Sequence, residues 1–184
     1  MARRRGLRVE RRGDGTLVLQ SMPHVMALVL GELPALLSDE APGIRERSAG
    51  SPYPEDPDST HQWEKYAVPE LAHLFESARA TVLGDLEGLV RQRSPKDRFR
   101  LAIPATHLPA WHSSLAAIRV ALAETHGIEE EDMEGPQAPL AFTAKEQALA
   151  FVNLLGWVQG LLLEAEEPKR RRRKARRPRG AGPR

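Results

Sequence analysis

Large apolar residues recur along this chain in two rhythms, and the changes of rhythm mark its elements. From Leu108 to Thr125, the residues Leu108, Trp111, Leu115, Ile118, Leu122 and Thr125 follow steps of three and four. That spacing lines one face of a helix, which must find an apolar partner. Pro109 suits its first turn and Gly127 the left-handed position beyond its last, so a helix over 108–126 is marked at both ends. A second helix is predicted over 143–166. Thr143 and Glu146 form a capping box, and Ala148, Phe151, Leu154, Leu155, Val158, Leu161 and Leu162 form a broad apolar face with Trp157 beside it, until Pro168 blocks continuation. A third, over 68–92, opens at Pro69, carries Leu71, Leu74, Phe75, Ala78, Val82, Leu86, Leu89 and Val90, and stops before Ser94-Pro95. A fourth, over 22–37, takes Ser21 as N-cap and Pro23 as an early helical proline. Val25, Met26, Leu28, Val29, Leu30 and Leu33 are dense enough to imply burial on most sides, and Pro34 should kink or end the helix.

The other rhythm is alternation. In LRVERRGDGTLVLQ, residues 7–20, Leu7 and Val9 alternate with charged positions, and Leu17 and Leu19 with Thr16, Val18 and Gln20. Gly13-Asp14-Gly15 can supply the positive φ of a tight turn, so the segment reads as a hairpin that a further element must cover. FRLAI at 99–103 is the third strand. Both rhythms lapse over 39–66, a proline-rich connector that is either mobile or laid across the surface on Tyr53 and Trp63. The expected architecture is mainly α: a four-helix domain over 1–167 with a small three-stranded antiparallel sheet from 7–12, 16–20 and 99–103. Trp111, Leu115, Ile118, Phe75, Val82, Phe151, Leu155 and Val158 are its expected core, and 168–184 is read as a disordered basic tail.

At 184 residues the chain can bury a core without staples, and it has no cysteine. That excludes thiol nucleophiles, disulfides, thiolate zinc and iron–sulfur ligation, and fits a cytoplasmic setting. No unbroken apolar run reaches the roughly 20 residues of a bilayer span, so no membrane contact is expected. MARRRGLRVERRG has a basic lead but no apolar stretch after it, unlike a secretory signal. The net charge of +2 conceals an asymmetry. Residues 168–184 hold ten Lys or Arg and no acid, and residues 1–12 hold six Arg against Glu10. The body between them, 13–167, has 11 basic and 24 acidic residues, a charge of −13. Any affinity for phosphate would therefore come from the ends. Nonspecific nucleic-acid contact through Arg170, Arg171, Arg172, Arg173, Lys174, Arg176 and Arg177 stands beside a solubilising tail folded onto the acidic body.

Candidate chemistry is sparse. Glu70 and His73, with Glu76 a turn later, have the Glu-x-x-His spacing of di-metal carboxylate bundles, but no second copy follows. His107 and His112 straddle a helix start, where free amides could hold an anion or lower an imidazole pKa; capping or exposed histidines are the plainer reading. Ser113 and Ser114 adjoin His112 but must point apart, with no glycine-framed elbow. Gly13-Asp14-Gly15 is too short for a phosphate loop, and Glu129 to Glu134 lack the alternating ligands of a calcium loop. No cofactor is expected.

Two stretches, AWHSSLAAIRVALAETHGIEEEDM (110–133) and LAFVNLLGWVQGLLLEA (149–165), together with the hairpin and acidic connector, resemble the bacterial family of AosR-like oxidative-stress regulators. Many of its members carried only the label of a domain of unknown function, and they are often encoded beside the adaptor of the Clp protease. The matching features are Trp111, Leu115 and Arg119, then Leu122, Gly127-Ile128 and an acidic Glu-Glu-Asp, and finally Leu155, Trp157 and Leu161. The resemblance implies a non-enzymatic regulator acting through protein contacts, with a sigma factor or other transcription component as partner. Redox sensing by paired thiols cannot operate here, because the chain has no cysteine. Two other expectations stand beside this one: a metal-binding bundle or enzyme centred on Glu70 and His73, and a homo-oligomer in which acidic bodies and basic tails pair between chains.

Overall fold

The structure, a computed structural model, describes residues 7–38, 50–93, 98–134 and 143–166. A four-stranded antiparallel sheet carries helices on one face. Strand β1 (Arg8–Arg11) turns through Gly13 to Gly15 into β2 (Leu17–Pro23). Gly15 takes φ 87°, as the turn requires, and the Asp14 carboxylate accepts the Thr16 N–H at 2.9 Å. Then come α1 (His24–Gly31) and α2 (Leu33–Leu36), and after the connector α3 (Pro57–Gln62), a π-helical turn (Trp63–Ala67) and α4 (Val68–Leu86). Strands β3 (Val90–Arg91) and β4 (Arg98–Ile103) follow, then a 3-10 turn (Ala105–His107), α5 (Leu108–Thr125), α6 (Glu130–Glu134) and α7 (Ala144–Glu166).

The sheet order is β1-β2-β4-β3, one strand more than the alternation predicts. Val90 and Arg91 were expected to end the helix over 68–92. The helix instead stops at Leu86, and these two residues pair with Arg100 and Phe99. A two-residue strand has no alternation to read; only its partner defines it. The first helix also differs from expectation. Ser21 is not its N-cap: β2 runs on to Pro23, and Ser21 sits at φ 58° where the register slips between Leu19 and Met22. Gln20 and Ser21 together face Arg100, a β-bulge that re-aims the strand into α1. Pro34 has the effect expected of it: the helix breaks at Glu32 and restarts as α2. Val25 and Leu28 are exposed rather than enclosed, so α1 is buried on one side only, through Met26, Ala27, Val29 and Leu30. The connector is shorter than predicted, since helix begins at Pro57, with the Asp56 carboxylate accepting the Asp58 and Ser59 amides. Tyr53 is exposed and does not anchor it by its ring, whereas Trp63 is half-buried.

The core lies between the inner sheet face and the helices. Leu17, Leu19, Leu101 and Ile103 meet Met26, Leu30 and Leu33 from α1 and α2, Val82 from α4, Trp111, Leu115 and Ile118 from α5, and Leu155, Val158 and Leu162 from α7. Six of the eight expected core residues are buried, while Phe75 and Phe151 are half-buried. Both ends of α5 form as their sequence directs. Pro109 lies in the first turn, and at the other end Gly127 has φ 57° while the Ile128 N–H reaches back to the Ala123 carbonyl at 2.8 Å, a Schellman closure. The capping box forms as predicted: the Glu146 carboxylate accepts from Thr143 Oγ1 at 2.6 Å, and the Glu146 N–H donates to Thr143 Oγ1 at 3.3 Å.

Candidate functional site

The residues singled out for chemistry lie apart. Glu70 and His73 are exposed on α4, and Glu76 is engaged with Arg79 at 3.1 Å. Among the described residues no group of three or more His, Asp or Glu side chains converges as a metal site. His107 and His112 are each turned to a carboxylate rather than to free amides. Asp85 on α4 accepts from His107 Nδ1 at 3.0 Å and from the buried Trp111 Nε1 at 2.8 Å, which ties α4 to the start of α5. His112 Nε2 pairs with Glu166 at 3.2 Å. Ser114 is buried and Ser113 exposed, as neighbours on a helix must diverge.

A polar seam joins α5 to α7. Arg119 Nη1 donates to Gln159 Oε1 at 2.9 Å, and Gln159 Nε2 donates to the His112 carbonyl at 3.3 Å. Gly156 lies under the Arg119 guanidinium, where a Cβ would come within 3.1 Å of Cζ. The arginine and the glycine are therefore one feature shared by the two helices. On its far side α7 shows the solvent Ala150 and Trp157, with half-buried Leu161 one turn on, while Leu154 at the flank packs against the core; Trp157 is 48% exposed. By length and composition α7 could cross a bilayer, although Asn153 and Gln159 interrupt its apolar run. Its stripe of Ala148, Val152, Leu155, Val158 and Leu162 is spent on the core.

Charge is sorted by position in the fold. Seven of the eleven Lys and Arg among the described residues lie on the strands or within two residues of them, whereas of the twenty Asp and Glu only Glu10 is on a strand. The pairing register decides which way the strand arginines point. Glu10 lies opposite Val18, and Val18 opposite Ala102, while Arg8 lies opposite Gln20 and Val90 opposite Arg100; these share the outer face with Arg98. Leu17, Leu19, Leu101 and Ile103 alternate with them on the inner face. Arg11 lies at the end of the inner row and donates to the Glu166 carbonyl at 3.0 Å, closing the C-terminal end of α7 against β1. The described residues thus start at Leu7, beside the first residue of β1, and finish at Glu166, which Arg11 holds at the other end of that strand. The tail residues Arg170, Arg171, Arg172, Arg173, Lys174, Arg176 and Arg177 lie outside the described residues. Sequence reasoning placed the positive charge on the ends, counting Arg8, Arg11 and Arg12 with the first; that Arg98 and Arg100 share a sheet with them escaped it, because only cross-strand pairing assembles the set.

A family model described as Domain of unknown function (DUF2017) matches residues 3–166. The chain belongs to this family. The DUF2017 match covers every described element and ends where α7 ends. No curated protein and no solved structure matches the chain.

Proposed function

We propose that this chain is a non-enzymatic cytoplasmic regulator that works by contact. The outward face of α7 holds a partner protein, a sigma factor or another transcription component, and the basic ends add contact with nucleic acid. The observation that carries the reading is Trp157, a large aromatic left half in solvent with exposed Ala150 and half-buried Leu161 along the same stripe. Aromatic anchors of this kind supply much of the energy in protein interfaces. The resemblance of residues 110–133 and 149–165 to AosR-like regulators supports a stress-response setting, with a signal other than thiol oxidation. The two histidines that looked like chemistry support the reading too, because His107 and His112, with Asp85, Arg119 and Gln159, serve as ties between helices.

Capture from a bacterial lysate with the full chain and with Trp157→Glu tests it. A protein retained by the first and released by the second, with unchanged circular dichroism, is the expected result. Identical retention by both chains would overturn it. A stoichiometric transition metal in the purified protein would favour the alternative centred on Glu70 and His73.

A further inference from the structure

We propose that the outer face of the sheet is a binding surface for the phosphate backbone of nucleic acid, built on Arg8, Arg98 and Arg100 with Arg12 at its rim. This deepens the nucleic-acid part of the function proposed above and is independent of the α7 surface. The arginines come from two distant places in the chain, and the antiparallel register brings them to one side: Arg8 on β1, and Arg98 and Arg100 two strands away on β4. At about 4.8 Å per strand and about 6.6 Å per residue pair along a strand, they form a grid roughly 10 Å across. Among the described residues Glu10 is the single acid on this face, and its carboxylate accepts from Gln20 Nε2 at 2.8 Å. Arg98 also donates to the Ser21 carbonyl at 3.2 Å, which fixes its stem and leaves further guanidinium donors.

Three features favour nucleic acid over an acidic protein. All four cations are arginines, whose planar forks bind phosphate oxygens in pairs. Among the described residues the outer face has no aromatic ring; Val18 on it is buried and Val90 at its edge is a small exposed aliphatic, so it lacks the large anchor that a protein interface uses. The segments that flank the domain in sequence, Arg3 to Arg5 and the run from Lys169, are basic too, which suits a polymer with a charge every 1.7 Å or so. The densest run of acids does not cancel the basic face. The Glu129 to Asp132 segment is tied by Asp132 to Lys145 at the opposite end of α7, whose 23 residues span about 35 Å. That is several times the Debye length of about 8 Å at physiological salt.

With no base-stacking ring among the described residues of this face, binding is expected without sequence preference. Fluorescence anisotropy with a labelled random-sequence DNA duplex, an RNA duplex and polyglutamate, at increasing salt, tests the proposal in the full chain. Replacing Arg8 and Arg100 together by Ala should make the plot of log affinity against log salt shallower by about 2 for the duplexes. Glu10→Gln, which keeps the hydrogen bond to Gln20 and removes the one acid, should tighten binding several-fold, a gain that misfolding cannot produce. Trp157→Glu should leave duplex binding unchanged, which separates this site from the protein-binding face. Duplex binding indifferent to Arg8, Arg100 and Glu10 would overturn the proposal, as would no duplex binding or equally tight binding of polyglutamate.

Discussion

Single residues decide several local questions, and two glycines make a controlled pair. Gly15 and Gly127 both have positive φ, but an added Cβ at Gly15 would lie 3.0 Å from Ala105 Cβ, while at Gly127 it would meet open space. Gly127→Ala should therefore cost about 1 kcal/mol, the price of the left-handed backbone. Gly15→Ala should cost more, because the hairpin must also shift away from Ala105; urea unfolding of the two variants gives the order, and the reverse order would refute this account. Asp85 is the other decisive residue. Asp85→Ala leaves the Trp111 indole N–H, on a fully buried ring, without its acceptor, a loss of about 1–3 kcal/mol measurable in the same way. The indole periodicity made Trp111 legible in the sequence as core. Its acceptor was not legible, because 26 residues and a change of element separate the two.

At the scale of elements, what the sequence spelled out was the self-contained part. The α5 stripe, the Gly127 closure, the Thr143 capping box and the hairpin turn each depend on residues within a few positions of one another, and each forms. Thr143→Ala should lower stability by about 1 kcal/mol through fraying of the first turn of α7, seen as lost helicity and a lower melting temperature. The start of α7 also has an acid-sensitive tie. Asp132 is held below the usual carboxylate range, first by the Glu129 amide and then by Lys145. A depressed native pKa gives stability that is complete above the unfolded value, near 3.8, and is lost as pH falls through the native one. Stability should thus decline below about pH 4, and Asp132→Asn should flatten that decline; an unchanged acid limb would remove Asp132 from the explanation. Elements that depend on distant partners were not legible. β3 exists because β4 pairs with it, the bulge at Ser21 exists because β4 runs on past it, and helix over 57–67 overrides a composition that reads as loop.

For the whole molecule, the separation of charge was legible along the chain but not in space. The count of −13 for 13–167 averaged the arginines of β3 and β4 with acidic helices and left those of β1 to the basic lead. Folding sorts the two, leaving a basic sheet and acidic α6 at opposite ends of α7. A molecule with such a dipole should associate with its own copies more strongly at low salt, and sizing chromatography at low and high ionic strength reads that directly; a salt-independent elution volume would rule out pairing of unlike ends. The π-helical turn at Trp63–Ala67 has a consequence of another kind. It holds one residue more than an α-helix would use over the same rise, so it sets the rotational phase between Asp56–Gln62 and everything after Val68. Deleting a single residue there should restore one unbroken spiral and swing the earlier turns by about 100° around their axis, carrying half-buried Thr60 and Trp63 away from the sides they now occupy.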